Sequence, residues 1–228
     1  MQKTVLGILA AAAVAAIPAI TLAQSKPTAA TYITKEEVDK VNATPGVDRT
    51  IKVVDIGPEH YSVGIIHRVA TPAPGAAAGG GGRAGGAAGG GAAGGAGRAG
   101  RAAATPCGQQ MATAPTSGGA PGMIAHDHQT EGYLIVSGGG TMITGGHIVN
   151  GSQSAADAEV TTTLNGPSCS GTAYGDDIVR KVVKQGDIII IPAGVPHGWT
   201  GITTEVTYLS FRPSEHILTA GYVNPAIK

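Results

Sequence analysis

The chain has 228 residues, a formal net charge of zero and only 13% charged side chains. That length allows one domain with a real core, or two small ones. Balanced charge without a basic stripe argues against a nucleic-acid partner, and there is no Walker-type loop, dinucleotide fingerprint or Ser/His/Asp arrangement in recognisable context.

The chain opens with "MQKTVLGILAAAAVAAIPAITLAQS". Lys3 gives a positive start, an Ala-rich run follows, and Thr21 to Ala23 offer small residues where a signal peptidase reads. Residues 1–23 are therefore expected to be a signal peptide cleaved after Ala23, and the mature protein periplasmic or secreted. An uncleaved anchor is the alternative; Ala is weakly apolar and Pro18 interrupts the run. No other segment is apolar enough to span, so membrane contact is expected only through this leader. An oxidising compartment allows one pairing, Cys107 with Cys169, although two free buried thiols stay open as a reading.

Residues 24–70 read as a short helix and the first strands. In "TYITKEEVDKVNA" Thr34 is the candidate N-cap, with Glu36 and Glu37 in the first turn. "TIKVVDIG" and "YSVGIIHRVA" have the β-branched, turn-bounded pattern of strands. Residues 71–106 are rich in Gly and Ala and hold neither an acid nor a large apolar side chain. Such a segment cannot bury enough surface to offset its ordering entropy, so it is expected to be a disordered insertion. Its arginines, Arg83, Arg98 and Arg101, are read as solvated spacing.

From 107 to 228 the pattern is of short strands between Gly, Pro and Asn turns: "GYLIVSG", "GTMITG", "AEVTTTL", "SGTAYG", "RKVVKQ", "GDIIIIPAG" and "TEVTYLSFRP". This spacing predicts an all-β sandwich or barrel.

The first stretch that carries chemistry is "IAHDHQTEGYLIVSGGG". His126 and His128 are two apart, which on a strand turns both rings to one face. Two neutral imidazoles on one interior face make half of a divalent transition-metal site. Glu131 has the wrong parity to join them unless the chain turns or bulges between Gln129 and Thr130; Tyr133 would then share its face. The second stretch is "QGDIIIIPAGVPHGWTG", where a Pro-x-Gly turn holds His197 on a rigid corner. His147 reads as a loop residue, His67 as a hydrogen-bonded strand residue, and His60 and His216 have no motif around them.

Together the two stretches resemble the paired motifs of the cupin superfamily, small jelly-roll β-barrels. Gly186, Pro192, Gly194 and His197 fall at the family's spacing, with Gly201 in place of its closing Asn. In the first motif His126, His128, Glu131 and Gly138 match in type. The gap from His128 to Glu131 is shorter than the family's, and Ala120 stands where it has Gly. The resemblance implies an all-β, cupin-type jelly-roll barrel holding one divalent transition metal (Mn, Fe, Ni, Cu or Zn) on His126, His128, Glu131 and His197. Glu131 or Tyr133 would move a proton during oxygenase, isomerase or lyase chemistry on a small organic molecule. A non-enzymatic periplasmic small-ligand binder and a surface-associated structural protein are the alternatives, and pairing into a homodimer through outer strands is a further implication of the resemblance.

Overall fold

The computed structural model describes residues 26–71 and 105–228. The expected signal peptide and residues 72–104 of the Gly/Ala-rich stretch lie outside the described residues. Helix α1 (Lys35–Asn42) is followed by strands β1 (Asp48–Asp55), β2 (His60–Val69), β3 (Pro106–Cys107), β4 (Ala120–His126), β5 (Glu131–Thr144), β6 (His147–Gln153), β7 (Ser168–Tyr174), β8 (Val179–Lys184), β9 (Ile188–Ile191), β10 (His197–Thr200) and β11 (Glu205–Ser214). All named strand pairs are antiparallel. No helix among the described residues is long and apolar enough to cross a membrane.

Thr34 caps α1 as its sequence predicts: its hydroxyl accepts the Glu37 N–H, and the Glu37 carboxylate accepts the Thr34 N–H. The helix lays Val38 and Val41 on Ile51 and Ile65, on the outer side of β1 and β2, and Lys52 joins it through Glu37 at 2.8 Å.

β5 organises the rest. Its first half pairs with β9 and β11, its second half with β8 and β10. The strands form two leaves, β1-β2-β11-β5-β9 and β8-β5-β10-β4-β7-β6-β3, joined through β5. "GYLIVSG" and "GTMITG" are thus one strand rather than two. The strand changes leaf at Gly138, where φ is +66° and a Cβ would stand 2.1 Å from the Glu205 carbonyl oxygen. Only glycine fits both the conformation and the space, and the facing strand shifts register there, between Thr207 and Tyr208.

The interior holds Ile66, Tyr133, Ile135, Met142, Val183, Ile191, Ile202, Val206 and Tyr208. A second apolar cluster of Met123, Ala125, Ile143, Ile148 and Cys169 packs β4 to β7 together. There Cys107 and Cys169 form a disulfide with Cα atoms 5.8 Å apart, so the free-thiol reading falls. A disulfide of this kind belongs to an oxidising compartment. Among the described residues, β8 and β9 pair only with β5 and leave Val182, Ile188 and Ile190 exposed.

Two local expectations are corrected. "AEVTTTL" is not a strand: Val160–Leu164 forms a π-helical turn. The Thr161 hydroxyl donates to the Ala155 carbonyl at 2.7 Å and that of Thr162 to Ala158 at 3.1 Å. These local bonds compete with a sheet ladder and outweigh the β-branched propensity. His147 is not in a loop; it begins β6, paired with Tyr174 and exposed.

Candidate metal centre

His126 is the last residue of β4 and Glu131 the first of β5. The chain turns between them, which removes the parity conflict and brings Glu131 inside with Tyr133. The turn begins one residue too early for the second histidine. Because β4 ends at His126, His128 does not share its face; it is exposed and outside the group. His197 arrives on β10, whose register sets it opposite both Ile124 of β4 and Thr144 of β5. The Pro192–Gly194 turn before it is pinned by the Gly194 N–H donating to the His126 carbonyl at 2.8 Å. One ligand atom from each of His126, Glu131 and His197 lies within 4.8 Å of the others, and the three residues are 4%, 1% and 5% exposed.

Hydrogen bonding fixes which imidazole nitrogens are bare. His197 Nδ1 lies 3.1 Å from the Val195 carbonyl, which can only accept, so the proton of the neutral ring is on Nδ1. Nε2 then presents a lone pair to Glu131 Oε2 at 3.1 Å. At His126 the Ser168 hydroxyl donates to the Gly166 carbonyl at 2.8 Å, so it accepts from Nδ1 at 2.7 Å. Nε2 of this ring is bare too, 3.4 Å from the same carboxylate oxygen. Burial, the largest influence, keeps His126 neutral by lowering its pKa.

Glu131 divides its two oxygens. Oε1 accepts from Asn165 Nδ2 at 3.0 Å, Ser210 Oγ at 3.2 Å and Arg212 Nε at 3.0 Å. Oε2 accepts the Tyr133 hydroxyl at 2.6 Å and faces both imidazoles. Burial pushes its pKa up, but the Arg212 charge and the groups that donate to its oxygens hold the carboxyl well below its usual range. Tyr133 moves the other way: burial first, then Glu131, raise its pKa well above the ordinary value.

Behind Glu131 stands Arg212, 1% exposed, which also pairs with Asp48 through Nη2 at 2.6 Å and donates from Nη1 to the Leu164 carbonyl at 3.2 Å. Burial works against its charge, yet Asp48 and Glu131 raise its pKa further above the usual guanidinium range. Asp48, Arg212 and Glu131 together leave one formal negative charge in the interior. Two bare imidazole nitrogens, a carboxylate oxygen and that charge are the donor set a divalent cation fits. Asn165 stands against it: its Nδ2 is also 3.0 Å from His126 Nε2, on the lone pair an ion would use.

Asn165, Ser168, Ser210, Arg212 and Asp48 were not legible as site residues. "LNGPSCSG", which carries Asn165 and Ser168, reads only as a turn, and Arg212 is an arginine in an ordinary strand pattern. His67 is no fourth ligand; its Nδ1 meets Thr207 Oγ1 at 2.9 Å.

No protein-family model matches the chain, and no curated protein matches it either. Among solved structures it is similar to recombinant oxalate oxidase in complex with glycolate, at 13% identity and a TM-score of 0.31, covering 85% of this chain and 60% of that one. CapF with 3-isopropenyl-tropolone gives 15% identity and a TM-score of 0.29 over 73% of this chain and 28% of that one. Peruvianin-I, a cysteine peptidase from Thevetia peruviana latex, gives 10% and 0.31 over 81% and 77%. All these likenesses are distant, and the chain spans less than two thirds of the first two proteins. In its two motifs, its antiparallel jelly-roll barrel and the histidine–glutamate group inside, the chain resembles the cupin superfamily.

Proposed function

We propose that the protein is an exported, metal-dependent enzyme. It holds one divalent transition-metal ion (Mn, Fe, Ni, Cu or Zn) on His126, Glu131 and His197 and acts there on a small organic molecule by oxygenase, isomerase or lyase chemistry. The observation that carries this reading is the meeting of two unprotonated imidazole nitrogens and a carboxylate oxygen, with no N–H of either ring directed at the carboxylate. When bound, such an ion supplies Lewis acidity toward a substrate oxygen. The chain's own groups do the rest. Ser168 and the Val195 carbonyl orient the rings. Asn165, Ser210 and Arg212 anchor Glu131 Oε1, so that Oε2 keeps its aim. The Tyr133 hydroxyl keeps its proton and donates it at Oη, with Glu131 Oε2 as the adjoining acceptor. Asn165 yields its place on His126 when the site fills.

The closure of the group favours a second reading, a small-ligand binder without turnover, because all three side chains are buried and Asn165 already fills one donor position. Metal analysis tests the first. Chelator-treated protein is reconstituted separately with each of the ions and desalted. Wild type is expected to carry one equivalent more than the His126→Ala, His197→Ala double variant. Equal metal content in the two overturns the reading.

A further inference from the structure

Outside the barrel interior, Asp55, His60 and His216 also bring one ligand atom each to within 4.8 Å of one another. They come from three parts of the chain. Asp55 ends β1 and pairs across the hairpin with His60, the first residue of β2. His60 is opposite Ser214 of β11, and His216 follows two residues later. His216 adopts a left-handed backbone conformation, φ +57°, which non-glycine residues rarely take. The two rings meet edge to face with centroids 4.5 Å apart.

Each ring spends one nitrogen on a backbone carbonyl. His60 Nδ1 donates to Leu218 at 2.5 Å and His216 Nε2 to Gly57 at 3.2 Å. Carbonyls only accept, so in the neutral rings His60 Nε2 and His216 Nδ1 are left bare. No hydrogen bond among the described residues uses either atom. Asp55 accepts the Gly57 N–H through Oδ1, at 2.7 Å, and has Oδ2 to spare. A cation bound between the three would use the lone pairs that these contacts leave free. Carbonyl-anchored imidazoles are also the arrangement that orients histidine toward a metal.

We infer that Asp55, His60 and His216 form a second divalent-cation site, of the zinc class, independent of the buried group. Two imidazoles, a carboxylate and water complete a four-coordinate shell. Donors around an ion with bonds of about 2.0–2.2 Å stand about 3.5 Å apart, a contraction that side-chain rotation supplies. His216 is exposed while Asp55 and His60 are half-buried, so the ion enters from solvent. Bound there, it clips the segment after β11 to the β1–β2 hairpin.

The test uses untagged full-length protein, stripped with chelator and titrated with Zn²⁺ by calorimetry, with metal counted after desalting. His60→Asn keeps a donor for the Leu218 carbonyl, and His216→Asn suits the left-handed backbone, so both variants are expected to fold; circular dichroism checks it. Wild type should bind one equivalent more than either variant, and His197→Ala should keep that equivalent. Wild-type stoichiometry in both Asn variants overturns the second site. An equivalent lost in His197→Ala but not in the Asn variants also overturns it, and leaves the central reading standing.

Discussion

Glu131 Oε2 and His197 Nε2 stand 3.1 Å apart, and with the ring neutral neither atom has a proton to offer the other. The surrounding chain enforces this: the Val195 carbonyl holds the ring's proton at Nδ1, and Arg212 and Asn165 hold the carboxylate from its far side. A cation is the simplest relief. His197→Ala is therefore expected to lose the central metal equivalent, and His128→Ala to keep it, since His128 is exposed and apart. Metal counting after desalting checks both; loss in the His128 variant would place the ion elsewhere.

Asn165 and the ion compete for His126 Nε2. Asn165→Ala frees the His126 lone pair, worth about 0.5–1.5 kcal/mol, and leaves Glu131 Oε1 to Ser210 and Arg212, so the variant is expected to bind the central ion about two- to twelvefold more tightly. Weaker binding by competition titration with a chromophoric chelator would mean that Asn165 supports the site rather than capping it.

Arg212 compensates two buried carboxylates. Arg212→Leu leaves both charges without their partner and should cost about 3–5 kcal/mol, the usual penalty for breaking a buried pair from one side. Urea unfolding measures it. A loss below about 1 kcal/mol, the value of a surface pair, would contradict the account.

Stability of the metal-free protein should fall on acidification. Burial lowers the His126 pKa, so below the ordinary imidazole range the unfolded chain binds a proton the folded one refuses. For Glu131 the depressed carboxyl contributes stability above its unfolded value, lost as pH falls further through the folded one. Both effects have the same sign. Melting temperatures should hold near pH 7–8, then drop from about pH 6.5 downward, where free imidazole takes its proton. A midpoint that rises toward pH 5 would refute this.

The Cys107–Cys169 bond closes a span of 62 residues. In the chain-entropy model a loop of that size is worth about 4 kcal/mol. The Cys107→Ser, Cys169→Ser double variant should lose about that much, read from denaturation midpoints, while reductant should have no further effect on it.

The amino-acid sequence by itself determined most of the strands, the Thr34 cap and the presence of His126, Glu131 and His197 near turns, because these rest on local patterns of polarity and capping. Periodicity alone misjudged His128, since a two-residue repeat aligns side chains only while the strand lasts, and β4 stops at His126. It misjudged "AEVTTTL" as well, where threonine hydroxyls satisfy nearby carbonyls. Only the tertiary structure decided what surrounds the carboxylate. Asn165, Ser210, Arg212 and Asp48 reach Glu131 directly or through one another from sequence distances no local pattern spans, and the same long-range register of β1, β2 and β11 brings Asp55, His60 and His216 together.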